Sequence, residues 1–251
     1  MTINLKKSIA FLSVFFLASC SGDEESFADK DPEVIYKQAN KELTNKDFKK
    51  AAKIFSEIER NHPYSDYAIN GQLLSAYSLY RAGSFEEASE AFNVFIQLHP
   101  GHSEVPYALY MRGICAYEQI PLIQRDQTIA DESVSFFDEL IQRYPGTEHA
   151  KDAKEKSILV KDHMAAKEMD VGIYYMNIYS YVSAINRFKT VIDDYPESRQ
   201  VEEAYYRLVE AYKALGVRSQ AKFYLEKLKK QFKNSSWTEK AISLMTPKTA
   251  S

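Results

Sequence analysis

Few residues in this sequence have the types and spacing that enzyme chemistry requires. The sequence has no HExxH zinc pair, no glycine-rich phosphate loop and no GxSxG nucleophile turn. Of its five histidines, His62 and His99 fall at one recurring position, and only His163 has unusual neighbours, Lys161 and Lys167. A solvated helical histidine explains His163 without catalysis. We therefore expect no catalytic residue, no metal site and no cofactor.

One cysteine has a context that predicts covalent modification. Two lysines precede an apolar run, residues 9–18, which is too short for a stable membrane span, and the sequence Leu-Ala-Ser-Cys follows, ending at Cys20. This ending resembles the lipobox of bacterial lipoproteins, which implies that residues 1–19 are a signal peptide and that Cys20 is lipidated. The alternative is an ordinary signal peptide with a chance cysteine. By the same resemblance, Ser21 after the cysteine implies sorting to the outer membrane.

The remaining composition limits the possible partners. Residues 20–30 are polar and acidic, and they predict a flexible tether. Removing residues 1–19 takes away two lysines, so the formal charge falls from −3 to −5, which argues against a nucleic-acid surface. Cys115 is then the only free thiol, and its apolar neighbours predict a small buried side chain.

The sequence contains five copies of one helical pattern. Four copies place a phenylalanine eight residues before a proline and a small residue twelve before it. These are Phe55 and Ala51 before Pro63, Phe92 and Ala88 before Pro100, Phe137 and Ser133 before Pro145, and Phe188 and Ala184 before Pro196. A fifth copy keeps the frame, with Lys233 in place of the proline. Apolar residues three and four apart form one stripe of a helix, and the proline ends it.

A second apolar stretch with its own small residue precedes each copy, so each unit is predicted to be a helical hairpin. The small residues are Ala39, Ala76, Gly113, Gly172 and Ala211. Spacings of 37, 45, 51 and 37 between the proline positions match the tetratricopeptide (TPR) frame with insertions. The fold class is therefore all-α, a TPR-like α-solenoid of five helical hairpins plus a C-terminal capping helix around Trp237. We assign residues 31–145 to units one to three and residues 146–251 to units four and five with the cap.

Two units depart from the common frame. In unit three, Gly113 and Ser133 are twenty residues apart instead of twelve, which predicts an insertion of about eight residues around Pro121. Unit four begins with a helical pattern from about Thr147 to Tyr179 without a proline. A helix of that length would exceed what its partner helix needs.

The first helices of units one to three carry a tyrosine-rich stripe. Tyr107 and Tyr110 share one helical face with Ile114 and Tyr117, and the matching face in unit two carries Leu73, Tyr77 and Tyr80, with Tyr36 in unit one. If this face lines the groove of the stack, it suits extended or β-prone peptides, and Arg81 or Arg112 could pair with a terminal carboxylate. The alternative is that the stripe is core packing.

Arg187 breaks the apolar pattern nine residues before Pro196. The same position elsewhere holds Ile54, Ala91, Phe136 and Tyr224. A guanidinium there must reach water or find a partner, because burying it unpaired is costly. The alternatives are an arginine that snorkels to the surface and an ion pair across helices, to Glu168, Asp170 or a bound partner.

Three stretches and the lipobox together resemble one family. HSEVPYALYMRG (residues 102–113), YEQIPLIQRDQT (117–128) and VKDHMAAKEMDVGIYY (160–175) look like the BamD (ComL-like) lipoproteins of the β-barrel assembly machinery. The resemblance implies a non-catalytic scaffold, lipid-anchored on the periplasmic face of the outer membrane.

Its implied partners are the barrel subunit BamA, other assembly-complex lipoproteins and unfolded outer-membrane proteins. BamA would bind chiefly the C-terminal units, with Arg187 as a coupling candidate, and unfolded substrates would bind the N-terminal units. The alternatives are another periplasmic TPR lipoprotein, for envelope or pilus assembly, and a helical cell-wall enzyme.

Overall fold

A computed structural model describes residues 26–120 and 128–246, and within these ranges the chain forms eleven α-helices and no strand. The helices are α1 (Pro32–Thr44), α2 (Phe48–Asn61), α3 (Ala68–Arg81), α4 (Phe85–Leu98), α5 (Val105–Tyr117), α6 (Thr128–Arg143), α7 (Glu148–Asn177), α8 (Tyr181–Asp194), α9 (Val201–Ala214), α10 (Arg218–Gln231) and α11 (Ser236–Met245). Each helix packs chiefly on its neighbours in sequence, and α11 packs on α9. The predicted solenoid of five hairpins with a capping helix is confirmed.

The hairpin turns of units one, two, four and five share one backbone geometry. In four of the five units a single residue between the two helices has a positive φ, near +60° to +78°. Gly83 and Gly216 occupy this position in units two and five, because glycine adopts the left-handed region with the least strain. Lys46 and Tyr179 occupy it in units one and four, where a side chain makes the conformation unfavourable.

Small residues let the two helices of a unit approach closely. The Cβ atom that Gly113 lacks would lie 2.4 Å from Cε1 of Phe137, and the one that Gly172 lacks would lie 2.4 Å from Cε1 of Phe188. Ser133 occupies the small position of α6 and donates a hydrogen bond from its Oγ to the carbonyl oxygen of Gly113, at 3.1 Å. The spacing rule found in the sequence is therefore a rule about helix contact.

Helix α7 connects the two halves of the stack. Its 30 residues span about 45 Å. Ala150 and Ala153 join the apolar core of units two and three, and Ala165 and Met169 join the core of units four and five. The predicted long helix of unit four is confirmed, and its extra turns give unit three a second helix to pack against.

A buried carboxylate fixes the next unit onto α7. Asp162, 8% exposed, accepts hydrogen bonds from Ser198 Oγ (2.7 Å) and from the backbone N–H of Arg199 (3.0 Å). It also accepts from Nη2 of the Arg199 guanidinium at 2.6 Å. Burial alone would raise the pKa of Asp162, but these hydrogen bonds outweigh it and hold the pKa below its usual value.

The tether prediction is wrong for its last residues. Phe27 is buried against unit one, where Ile35 and Ile58 are its neighbours in the same apolar cluster, and Lys30 Nζ lies over its ring. One aromatic side chain provides enough apolar area to pack the end of an otherwise polar segment. The earlier part of the tether, and residues 121–127 of the predicted insertion, lie outside the described residues. None of the described helices, α7 included, combines the length and apolar character of a membrane span.

Candidate functional site

Four of the predicted groove tyrosines come together on one side of the stack. Tyr77 and Tyr80 of α3 and Tyr107 and Tyr110 of α5 are all half-buried against the core of units two and three. Tyr80 packs on Phe85 with ring centroids 5.8 Å apart. We call these four tyrosines, with His149, the aromatic row. Each ring is anchored on one side and keeps part of its surface accessible.

Helix α7 completes the aromatic row with a residue that sequence reasoning missed. The His149 ring stacks on Tyr110, with centroids 5.3 Å apart, and lies 5.6 Å from the Tyr107 ring. Three residues further on, Asp152 Oδ2 accepts a hydrogen bond from the Tyr110 hydroxyl at 2.5 Å. Both residues belong to the extra turns of α7, which have no counterpart in the repeat frame, so no spacing rule could reveal them.

Two phenols of the row are held in their neutral form by their surroundings. Burial raises the pKa of Tyr107, with smaller contributions from the neighbouring Tyr77 and Tyr80. Burial also raises the pKa of Tyr110, and the Asp152 carboxylate raises it further. The phenols of Tyr107 and Tyr110 therefore stay protonated at any physiological pH. Among residues 26–120 and 128–246, no group of three His, Cys, Asp or Glu side chains is arranged to hold a metal ion.

Two predicted groove residues lie elsewhere. Tyr36 of α1 packs on Phe55 and Tyr67 within unit one, with centroids 5.6 and 5.2 Å away. Leu73 of α3 is buried in the apolar core of units two and three. Leu73 is thus part of the support beneath the row, and Tyr36 belongs to a separate aromatic cluster.

The two arginines predicted at the groove edge have different positions. Nη1 of Arg81 donates to the Tyr77 hydroxyl at 2.7 Å, and the guanidinium lies 4.6 Å from the Phe48 ring centroid, so Arg81 stands at one end of the row. Arg112 instead faces α6, where its guanidinium lies 4.1 Å from the Phe136 centroid and 3.9 Å from Glu139. The expectation that Arg112 borders the tyrosines is wrong, because on α5 it is two residues, more than half a turn, from Tyr110.

Arg187 forms an ion pair within unit four. Its Nη1 lies 3.1 Å from Oε2 of Glu168 on α7, which is one of the alternatives that the sequence left open. The Arg187 side chain remains 45% exposed while Glu168 is largely covered. Its guanidinium is therefore held in place and still accessible from outside.

The turn of the same unit exposes a cluster of apolar side chains. Tyr179, which has the unfavourable φ of +61°, is 77% exposed, and Tyr174, Ile178 and Val182 beside it are each more than half exposed. We call these four residues the apolar turn. An exposed aromatic at a position where two other units have glycine is a departure that packing does not explain.

Of the two cysteines, Cys115 is buried as the sequence predicts. Cys115 is fully buried, and burial raises the pKa of its thiol to about 12, so it is chemically inert. Cys20 lies outside the described residues, and its lipidation stays a prediction.

The stacked helical hairpins, with a row of fixed rings along one side, define a helical-repeat protein. Comparison with known proteins gives the family. The family model described as outer membrane lipoprotein, YfiO, matches residues 28–228. The chain therefore belongs to this family, whose named relatives are BamD outer-membrane protein assembly factors.

Three relatives document the similarity, and each is named outer membrane protein assembly factor BamD. The Rickettsia prowazekii protein is 38% identical over 81% of this chain and 81% of its own length. The Caulobacter vibrioides protein is 33% identical over 94% of this chain and 79% of its own length. The Neisseria gonorrhoeae protein is 31% identical over 84% of this chain and 85% of its own length. The resemblance seen in the sequence is confirmed.

Proposed function

We propose that this chain is a non-catalytic scaffold of β-barrel assembly, anchored through a lipid on Cys20 to the periplasmic face of the outer membrane. Units one to three receive unfolded outer-membrane proteins, and units four and five hold a BamA-type barrel subunit together with other lipoproteins of the complex. Each of these binding roles is assigned to a particular surface of the chain. The observation that carries it is the aromatic row of fixed, half-buried rings on α3, α5 and α7.

The chemistry of the row matches the end of an unfolded barrel protein. The last strand of such a protein alternates apolar and polar residues and commonly closes on an aromatic residue with a free carboxylate. Half-exposed rings offer stacking surface at little entropic cost, because the packing behind them already fixes their rotamers. Arg81 at the end of the row forms no ion pair with any described carboxylate, so its charge remains available to that terminal group.

The partner side of the proposal rests on unit four. Arg187 presents a held, half-exposed guanidinium, and the apolar turn lies on the hairpin that carries it. An apolar cluster bordered by a fixed charge resembles the centre and rim of a protein interface. The barrel subunit would cover the apolar turn and place a carboxylate near Arg187.

Photo-crosslinking tests the substrate side directly. A photoreactive residue at position 77, 80 or 110 should crosslink to a peptide that ends in an alternating segment and a terminal aromatic. Removing that aromatic should weaken the crosslink, and amidating the terminus should weaken it only while Arg81 is present. The matched control is position 212, a half-buried tyrosine of unit five, which should not crosslink to the peptide. Equal crosslinking to a scrambled peptide, or crosslinking confined to units four and five, would refute the proposal.

The anchor is tested by labelling. The variant Cys20→Ala should remain an uncut precursor that incorporates no labelled palmitate, because the acyl acceptor is gone. Equal incorporation without Cys20 would show that the lipid is attached elsewhere.

A further inference from the structure

The second helix of the last hairpin has a charge unlike the rest of the chain. Helix α10 carries five basic residues and one acid, a net charge of +4, whereas α4 and α6 each carry −3. Lys233 adds a further charge two residues after its end. In a chain with a formal charge of −3, this basic surface is a local feature that the proposed binding surfaces do not use.

The basic residues face outward around an exposed aromatic ring. The opposite side of α10 buries Ala221, Tyr224 and Leu228 in the core of units four and five. On the outer side Phe223 is 49% exposed, and Lys227 Nζ lies 4.9 Å from the centroid of its ring. A shallow depression runs along this face, and it is lined by Phe223, three lysines, Ser219 and the helix's one acid, Glu226. We call the outer side of α10 the basic face.

Most of these cations have no acidic partner. The one acid of the helix, Glu226, pairs with Lys229 at 2.9 Å. Within the described ranges, neither Lys222 nor Lys230 forms an ion pair with a carboxylate. Unpaired cations at a helix surface raise the local potential, and a potential of that sign favours an extended anionic partner.

We propose that the basic face of α10 lies on anionic phospholipid headgroups of the membrane to which the chain is anchored. Lysines attract the anionic surface over about one Debye length, and a half-exposed phenylalanine among them can enter the headgroup boundary. The face is the outside of a single helix with no deep groove, which suits a plane of headgroups better than an acidic peptide. The inference rests on the proposed anchoring, and it gives the solenoid a second attachment at the end opposite unit one.

Fluorescence of a single label in reconstituted vesicles tests this contact. The full chain, acylated at Cys20, carries Ser219→Cys on the basic face with an environment-sensitive dye. Cys115 stays unlabelled because it is buried and its thiol pKa is raised to about 12. In vesicles of phosphatidylethanolamine and phosphatidylglycerol the emission should shift to shorter wavelength relative to vesicles of phosphatidylcholine alone. The shift should vanish in 1 M salt, where the Debye length is about 3 Å.

Two double charge-reversal variants distinguish a contact made by the basic face from an effect of the chain's net charge. The variant Lys222→Glu/Lys230→Glu should lose the emission shift. The variant Lys49→Glu/Lys154→Glu changes the net charge equally, at exposed lysines of α2 and α7, and should keep it. Loss of the shift in both variants would contradict a specific contact of α10.

The decisive negative result is identical emission in anionic and neutral vesicles while the chain floats with both. That result would overturn the proposal and leave an acidic protein as the partner of the basic face. Flotation with neutral vesicles depends on the lipid anchor alone, so a chain that fails to float with them shows that the proposed anchor is absent. Without an anchor, the dye still shifts with anionic vesicles if α10 binds them, and it stays unshifted if α10 does not.

Discussion

Gly172 of α7 lies against the ring of Phe188 in α8, and a Cβ atom at the glycine would be 2.4 Å from Cε1 of that ring. The ring is fully buried and cannot move into solvent. The same relationship joins Gly113 and Phe137 in unit three. Contact between the two helices of these units therefore depends on the absence of a single methyl group.

Gly172→Ala should destabilise the fold by about 1–3 kcal/mol, because the overpacking exceeds the gain in helix propensity. Gly71→Ala is the matched control, since its nearest neighbour, Ile58 Cδ1, lies at 3.3 Å on a flexible side chain. Urea unfolding of both variants measures the difference. A loss for Gly172→Ala no larger than that for Gly71→Ala would show that Phe188 can relax.

The Asp162 network should make stability depend on pH. Its pKa is lowered in the folded state, so its contribution is complete above the unfolded value of about 3.9 and is lost as the pH falls below it, through the folded pKa. Asp162→Asn should cost roughly 1–3 kcal/mol at pH 7, because it weakens the hydrogen bonds that Asp162 accepts from Ser198 and Arg199.

Thermal unfolding at pH 7 and near pH 3 tests this dependence, since the difference between wild type and Asp162→Asn should shrink in acid. Asp138→Asn removes a more exposed pair with Lys161 and should cost less than about 1 kcal/mol at either pH. A constant difference between Asp162→Asn and wild type at both pH values would assign the effect to packing instead of charge.

Tyr179→Gly should separate stability from partner binding. Glycine relieves the positive φ, so the variant should be more stable by up to about 1 kcal/mol, while a BamA-type subunit should bind less well because the apolar turn loses its most exposed ring. Lys46→Gly relieves the same strain in unit one and should leave partner binding unchanged. Unaltered binding by Tyr179→Gly would remove the apolar turn from the interface.

Arg187→Glu should weaken association with the barrel subunit more than it weakens the fold. The side chain is 45% exposed, so losing its pair with Glu168 should cost no more than about 1 kcal/mol, and the new like-charge contact with Glu168 adds a cost of similar size. The double variant Arg187→Glu/Glu168→Arg restores an ion pair inside unit four. If this exchange restored association as well as stability, Arg187 would have only a structural role.

The sequence predicts the repeats well because their rule is local. Proline, a small residue and an aromatic at fixed separations determine where a helix ends and where its partner approaches, as Gly172 and Phe188 illustrate. The surfaces are harder to predict because they combine residues far apart in the chain. His149 joins Tyr107 through helix turns outside the repeat frame, and Asp162 reaches Arg199 across 37 positions.

The direction in which a single side chain points is also hard to predict from the sequence. Arg112 points to Phe136 although a groove-edge position was predicted, since a rotation of less than one helical turn decides which neighbour a residue meets. The positive φ of Tyr179 could not be predicted from the sequence either, because tyrosine is not among the residues that favour turns.

Co-purification from detergent-solubilised envelope tests the central claim most directly. A tagged copy of the full chain should bring down a barrel protein with periplasmic domains in near-equal amount, and Arg187→Glu should reduce that amount while the tagged chain itself accumulates normally. Recovery of the chain without any barrel subunit, or with only pilus or cell-wall components, would contradict a role in β-barrel assembly.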